Sequence, residues 1–363
     1  MEPRQEVALA TLEGAIYVMG GFRADVSVAD TVEVYDPDTD SWSFAASLPT
    51  GLHHAAAASV DGKLYVIGGF TDAFFLSPVD SVLEYDPIGD SWTPKAPMPT
   101  ARGALAVAVI DGRIYAGGGS PAARESDFAV YDPAADSWTV LTDLPTPRNH
   151  LAAGAIGGKF YAVGGRSGGI GGITAILEEY DPGSGQWSAA TSMPTARGGI
   201  GGAVFENRLY VFGGEGNPDV PSGVFSETES YDPNTDTWQI HTPMTTPRHG
   251  IGAALLGGLI YIPGGATLEG LGVSGAHDVF DPVAPPPTVV PTLPPWGTLL
   301  LAFLLLSLGL HAQPRTSGAW MSSRNVPSGS EKNTAQSPST GISGPMSSQT
   351  GGGHVTPWAR SSS

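Results

Sequence analysis

The feature that most constrains this chain is a repeat in which an apolar residue and Tyr precede a Gly pair. It recurs six times, at Gly20-Gly21, Gly68-Gly69, Gly118-Gly119, Gly164-Gly165, Gly213-Gly214 and Gly264-Gly265, at intervals of 48, 50, 46, 49 and 51 residues. An aromatic-Asp-Pro step follows each pair, at Tyr35, Tyr85, Tyr131, Tyr180, Tyr231 and Phe280. Five of these steps lead to a Trp: Trp42, Trp92, Trp138, Trp187 and Trp238. Periods of this length mark arrays whose units cannot bury their own apolar faces and must stack on neighbours.

Each unit offers four apolar runs of strand length separated by turn residues; in the second they are 55–60, 64–68, 81–85 and 91–93, with Asp61-Gly62 as the first turn. The 50 Gly, 32 Pro and 14% charged residues suit many short strands joined by turns. Four antiparallel strands make a blade, and blades stacked radially bury Tyr and Trp between neighbours. The expected fold is therefore an all-β, six-bladed β-propeller with four antiparallel strands per blade. The Gly pair suits a place where a side chain would obstruct close backbone approach.

Gly-Gly, Tyr-Asp-Pro and Trp at these spacings resemble the kelch repeat, from residue 4 to about 282. The sixth unit runs into Pro285-Pro286-Pro287 without a Trp, so the sixth blade is expected to lack its outer strand. Kelch-like propellers close their ring by letting one chain end complete the blade begun by the other. Met1 to Arg4 reads as the end of such a strand, which places the natural start, with a signal peptide, upstream of Met1.

The domain plan is a propeller over 1–282, a Pro-rich linker over 283–295, a membrane-spanning or sorting helix over 296–312, and a disordered tail over 313–363. Val290, Pro291, Thr292 and Leu293, followed by Trp296 and Gly297, resemble a bacterial exosortase-type sorting signal. That resemblance implies export and retention at the cell envelope or surface, anchored in the membrane before processing.

Residues 1–282 hold 13 of the 17 Lys and Arg and 34 of the 35 Asp and Glu, a balance of −21. Such a surface repels phosphate backbones, which excludes nucleic acid as a partner and favours cations, neutral sugars or a basic protein face. With no Cys there is no disulfide, thiolate metal site or cysteine nucleophile.

In a four-stranded blade the loops after Gly-Gly and the Pro-x-Arg connections between blades share one rim, and longer loops on a rigid scaffold are where binding resides. What repeats in every blade serves the scaffold; what breaks the pattern is free for function. Arg4, Arg102, Arg148, Arg197 and Arg248 recur, so they are expected to bond a neighbouring blade. The alternative for the last four is a ring of ligand-binding guanidinium groups at a channel mouth.

The departures are His53 and His54, His150, His249, the loop pair Phe74 and Phe75, Arg166 before a Gly-rich stretch, and Glu215. The imidazoles suit metal binding or proton exchange. No carboxylate accompanies them at characteristic spacing, so they are read as pore-lining polar residues, with no metal, no cofactor and no catalytic assignment. Asp36, Asp38 and Asp40 lack the Gly and Glu of a calcium loop and are read as a hairpin turn.

The leading expectation is a non-enzymatic module binding protein or glycan through the long-loop rim. One alternative is an enzyme resembling the kelch-like sialic acid mutarotases, for which Glu215, Arg166 and the His set are the candidate acid/base groups. Another is a passive structural protein of the envelope or matrix. Copper radical oxidases of similar fold need a Cys-Tyr cofactor that this chain cannot make.

Overall fold

A computed structural model describes residues 1–284 and the backbone of 355–358. Six four-stranded sheets stand around a central axis. Blade one comprises Ala8–Leu12, Ala15–Met19, Val32–Asp36 and Ser41–Ala45, each antiparallel to the next. The innermost strands of the others are Ala56–Val60, Ala106–Ile110, Ala152–Ile156, Gly201–Phe205 and Ala254–Leu256. Blade two, with strands Ala56–Val60, Lys63–Ile67, Val82–Asp86 and Ser91–Lys95, matches the sequence expectation to within two residues.

The second strand of each blade is apolar at nearly every position because both its faces are covered; Leu64, Tyr65, Val66 and Ile67 are all buried. The core is divided among the seams between blades. One cluster joins Ala8, Tyr17 and Met19 of blade one to Leu64, Val66 and Tyr85 of blade two, and another joins Ile16, Val18 and Tyr35 to Ala254, Tyr261 and Val279 across the closure. The register sets Tyr35, Tyr85, Tyr131, Tyr180 and Tyr231 opposite Trp42, Trp92, Trp138, Trp187 and Trp238. The tyrosines are buried and the tryptophans only partly so. Trp92, Trp138, Trp187 and Trp238 donate their indole N–H to a carbonyl of the preceding blade, at Ala46, Ala96, Thr142 and Thr191. Asp36 and Asp40 do form a turn: Asp36 Oδ1 accepts from Asp38 N, and Asp40 Oδ1 accepts from the Tyr35 hydroxyl.

The Gly pair and the recurrent Arg form a single device. The second Gly of each pair donates its N–H to the carbonyl of the residue at the Arg position, from Gly21 to Leu52, through Gly69 to Arg102, to Gly265 and Arg4 at the closure, at 2.8–3.1 Å. A Cβ on the first Gly would fall on that same carbonyl, at 2.3 Å for Gly68 and Arg102. Both pair members also have positive φ, so Gly is required twice over.

The Arg side chains are fully buried and turn into the blade that their segment leads into, rather than the one it leaves. Arg197 pairs with Glu229 at 2.5 Å and donates to the carbonyls of Thr195 and Val211. Arg4 pairs with Glu33, Arg148 with Glu178 and Arg248 with Asp278 in the same way. Arg102 faces Ala129 where the others face an acid and turns to Asp127 instead, at 3.6 Å. Arg102, Arg148, Arg197 and Arg248 are thus buried and bonded within the protein. This corrects the alternative of an anion-binding Arg ring.

Blade six departs from expectation. Its outer position is filled by Val355–Trp358, paired with His277–Phe280. The pairing is parallel, unlike every other strand pair among the described residues, and its register sets Trp358 against Phe280, where other blades set Trp against Tyr. A sheet edge offers a row of backbone donors and acceptors to any extended segment, and Pro357 is compatible with an edge strand. The expectation of a missing strand, and of disorder throughout 313–363, is corrected for these four residues. The linker 285–295, the apolar run 296–312 with the sorting motif, and the rest of the tail lie outside the described residues. Among the described residues no helix is long and apolar enough to cross a membrane.

Candidate functional site at the propeller axis

Two residues beyond each Arg position the connecting segments of all six blades meet in one hydrogen-bonded ring. The six residues there are Glu6, His54, Ala104, His150, Gly199 and Gly250, all left-handed, with φ between 54° and 65°. Each donates its backbone N–H to the carbonyl of the equivalent residue in the preceding blade, from His54 to Glu6 and around to Glu6 and Gly250, at 2.8–3.0 Å. Six such bonds, each worth about 0.5–1.5 kcal/mol net, close a ring about the axis on the long-loop rim. The left-handed conformation costs an L residue about 1–2 kcal/mol, and Gly at two of the six positions shows what the backbone alone would select. Glu6, His54 and His150 stand there nonetheless.

The residues one step earlier form an outer layer. They pair by single β-bridges with the first residue of each long loop: Gln5 with Phe22, His53 with Phe70, Gly103 with Ser120, Asn149 with Arg166, Gly198 with Glu215 and His249 with Ala266. The two layers bring His53, His54, His150, His249, Arg166 and Glu215 together, six candidates drawn from four blades. The inner layer encloses a cavity of about 90 Å³, lined by Glu6, His54, His150 and the apolar residues beneath them.

With His53, His54 and His150 neutral, the hydrogen bonds set the proton positions. The Asp72 carbonyl can only accept, so His53 Nε2 carries the hydrogen of their 2.8 Å bond and His53 Nδ1 is a lone pair. His54 Nδ1 lies 2.6 Å from it and must donate, which leaves His54 Nε2 unprotonated, 3.2 Å from Glu6 Oε2. Arg166 donates from Nη2 to His150 Nε2 at 2.9 Å, so His150 carries its hydrogen on Nδ1 and gives it to Asn149 Oδ1. Asn149 in turn donates to Glu125 Oε1 at 2.6 Å. His249 donates from Nε2 to the Leu268 carbonyl and turns Nδ1 between Glu215 Oε2 at 3.4 Å and Glu6 Oε1 at 3.6 Å. Glu215 also forms an ion pair with Arg166.

Electrostatics sharpen this picture. Burial acts to raise the Glu6 carboxyl, yet its pKa is lowered, an effect that needs positive charge among the imidazoles around it, of which His249 is the one that favours its charged form. Burial brings His54 down to about 3 and, together with Arg166, pushes His150 far below the usual imidazole range. Burial opposes charge on His249 as well, yet the carboxylates of Glu6 and Glu215 prevail and its pKa rises. The site therefore sets one histidine that favours its charged form between two acids, beside two that favour their neutral forms.

Phe75 packs its ring on His53, His54, Phe22 and Phe70, whereas Phe74 and Leu76 are 79% and 80% exposed on the rim. Leu268 and Leu271 of the blade-six loop are also exposed. Toward the other rim the channel widens to about 460 Å³, lined by small and apolar residues of the innermost strands with Thr11 and Ser59. Among the described residues none with a titratable side chain lines it.

Sequence reasoning missed Glu6, Asn149, Glu125 and Gln5. The signal for Glu6 was present: counted two residues past Arg4, it aligns with His54 past Leu52 and His150 past Arg148. The carboxylate held to be absent is supplied by blade one. His53 and His249 share one position and His54 and His150 the next, so the four imidazoles form two layers.

The Kelch motif family model matches residues 3–49, 51–99, 101–145, 147–194 and 196–245. An F-box/kelch-repeat protein of Arabidopsis thaliana is 41% identical over 66 residues, 18% of this chain and 18% of that protein. Kelch-like protein 33 of Homo sapiens is 40% identical over 68 residues, 19% of this chain and 13% of the relative. The chain thus spans under a fifth of either relative's length. The solved structure of YjhT superposes with a TM-score of 0.63 over 75% of this chain and 93% of its own, at 17% identity, a likeness of fold alone.

Proposed function

The chain belongs to the kelch-repeat family, and from that premise we propose that it is a binding module that receives a protein partner on its long-loop rim, around the axial pocket. One observation carries this reading: Phe74 and Leu76 stand exposed on a loop whose third apolar residue, Phe75, packs against the imidazoles of the axial site. An apolar tip beside a recessed polar pocket has the anatomy of an anchor point. Kelch propellers commonly serve protein interaction, which supports the same reading. The acidic balance of residues 1–282 favours a basic partner face.

Peptides selected from a random display library on the folded chain test the proposal. Saturable binding is expected, with affinity reduced at least tenfold by Phe74→Ser combined with Leu76→Ser, changes at exposed positions that leave stability within about 0.5 kcal/mol. Peptide binding indifferent to that change overturns it. So does saturable binding on a glycan array in place of peptides.

A second reading is an acid/base enzyme on a small sugar, supported by the proton-sharing groups Glu6, His249 and Glu215. A cavity of about 90 Å³ is small against the several hundred Å³ of ordinary small-molecule sites. Sugar-anomer exchange catalysed by the purified chain would establish that reading. The envelope location carries over as a proposal from the 290–297 motif and the apolar run 296–312; recovery of the native protein wholly in the soluble fraction of its cells would remove it.

A further inference from the structure

With neutral imidazoles the axial ring sets electron-pair donors against one another. His54 Nε2 and Glu6 Oε2, both electron-pair donors in the arrangement fixed by Asp72 and His53, face each other at 3.2 Å in a buried setting. His150 Nε2 is a third electron-pair donor, at present taken by Arg166, and donor atoms of Glu6, His54 and His150 all lie within 4.8 Å of one another. Two like-polarity atoms this close and this buried repel unless a positive centre stands between them.

We propose that Glu6, His54 and His150 bind a divalent transition-metal ion at the propeller axis. Three features support the assignment independently of the protein partner. The donor set, two imidazoles and one carboxylate with room for water or a fourth ligand, suits zinc and its first-row neighbours. Each imidazole already has the outer partner that metal-binding histidines use: His54 gives its other N–H to His53 Nδ1, and His150 gives its own to Asn149, itself held by Glu125. The ligands sit on the six-bonded backbone ring, so their Cα positions are held by the whole propeller rather than by one loop.

Tetrahedral coordination with metal–ligand distances of about 2.1 Å places donors about 3.4 Å apart. Glu6 and His54 already meet that spacing, and His150 must turn inward. The turn releases Arg166 from His150, and Arg166 keeps its ion pair with Glu215. The site is therefore poised between two occupants of one lone pair, a guanidinium and a metal. Removal of the guanidinium should favour the metal.

The experiment uses the full chain without an affinity tag, freed of metal by chelation, and titrates it with Co²⁺ while following visible absorption. Zn²⁺ competition and elemental analysis of the dialysed complex then give affinity and stoichiometry. One ion per chain is expected, with affinity lowered at least 100-fold in Glu6→Gln, in His54→Gln and in His150→Gln. It should be unchanged in His241→Gln, a histidine on an outer strand. Arg166→Met should tighten binding several-fold, a result that a merely structural role of Arg166 would not produce. Circular dichroism and tryptophan fluorescence establish that each variant is folded. One bound ion that survives Glu6→Gln and His150→Gln places the metal elsewhere and overturns the proposal. A folded chain that binds none at 100-fold molar excess overturns it equally, and identifies a proton as the positive centre between His54 and Glu6.

Discussion

Two rings of residues, two positions apart in the same connecting segments, behave in opposite ways. The Arg ring repeats one design. In four blades a buried guanidinium meets an acid on the third strand and carbonyls of the blade it enters; in blade three it meets Asp127 instead. Blade two lacks the Arg and lacks the acid too, with Leu52 and Leu83 buried in one cluster where the pair would stand. The axial ring varies by blade, retains side chains where its backbone favours Gly, and sets lone pairs against a carboxylate. Repetition with compensated exceptions belongs to stability. Variation against local preference belongs to function.

The largest effect should come from breaking one pair of the outer ring. Arg197→Ala leaves Glu229 buried without its partner and should cost about 3–5 kcal/mol, read from urea unfolding. A smaller loss should come from acid at the closing seam. His277 is packed among Tyr35, Trp42 and Tyr261, with neither ring nitrogen hydrogen-bonded among the described residues, and burial, then Arg248, brings its pKa to about 4. Its folded-state pKa lies below the unfolded value of about 6.5, so only the unfolded chain takes up this proton as pH falls from 6.5 to 4. The seam should therefore lose about 3 kcal/mol of stability over that window, and none above it. In His277→Phe the drop between pH 7 and pH 4 should shrink by that amount; an unchanged drop would assign acid sensitivity elsewhere.

Smaller still should be the effect of copying blade two into blade five. Arg197→Leu combined with Glu229→Leu removes both charges, and stability should stay within about 1 kcal/mol of the parent or rise. A loss as large as that of Arg197→Ala would show that the charge itself, rather than its pairing, holds the ring together.

Much of this contrast was legible before any coordinates. The spacing of Gly-Gly and Tyr-Asp-Pro determined the blades and most strand ends, and departures from it singled out His53, His54, His150, His249, Arg166 and Glu215. Glu6 escaped because it was read as part of a chain end instead of by its offset from Arg4. The proton positions were not legible at all, since they follow from distances to Asp72 and Leu268 in loops of irregular length. Nor was the pairing of Val355–Trp358, which lies outside the repeat and joins His277–Phe280 by backbone pairing.

The most direct test of the division of labour replaces the three axial side chains together, Glu6→Gly, His54→Gly and His150→Gly, so that five of the six ring positions carry the residue their left-handed backbone favours. Urea unfolding of this variant should give a free energy within about 1 kcal/mol of the parent, or higher, because relief of the left-handed cost of about 1–2 kcal/mol per residue offsets the lost contacts. The same variant should no longer bind Co²⁺. A loss of more than about 3 kcal/mol would contradict the account and return Glu6, His54 and His150 to the scaffold.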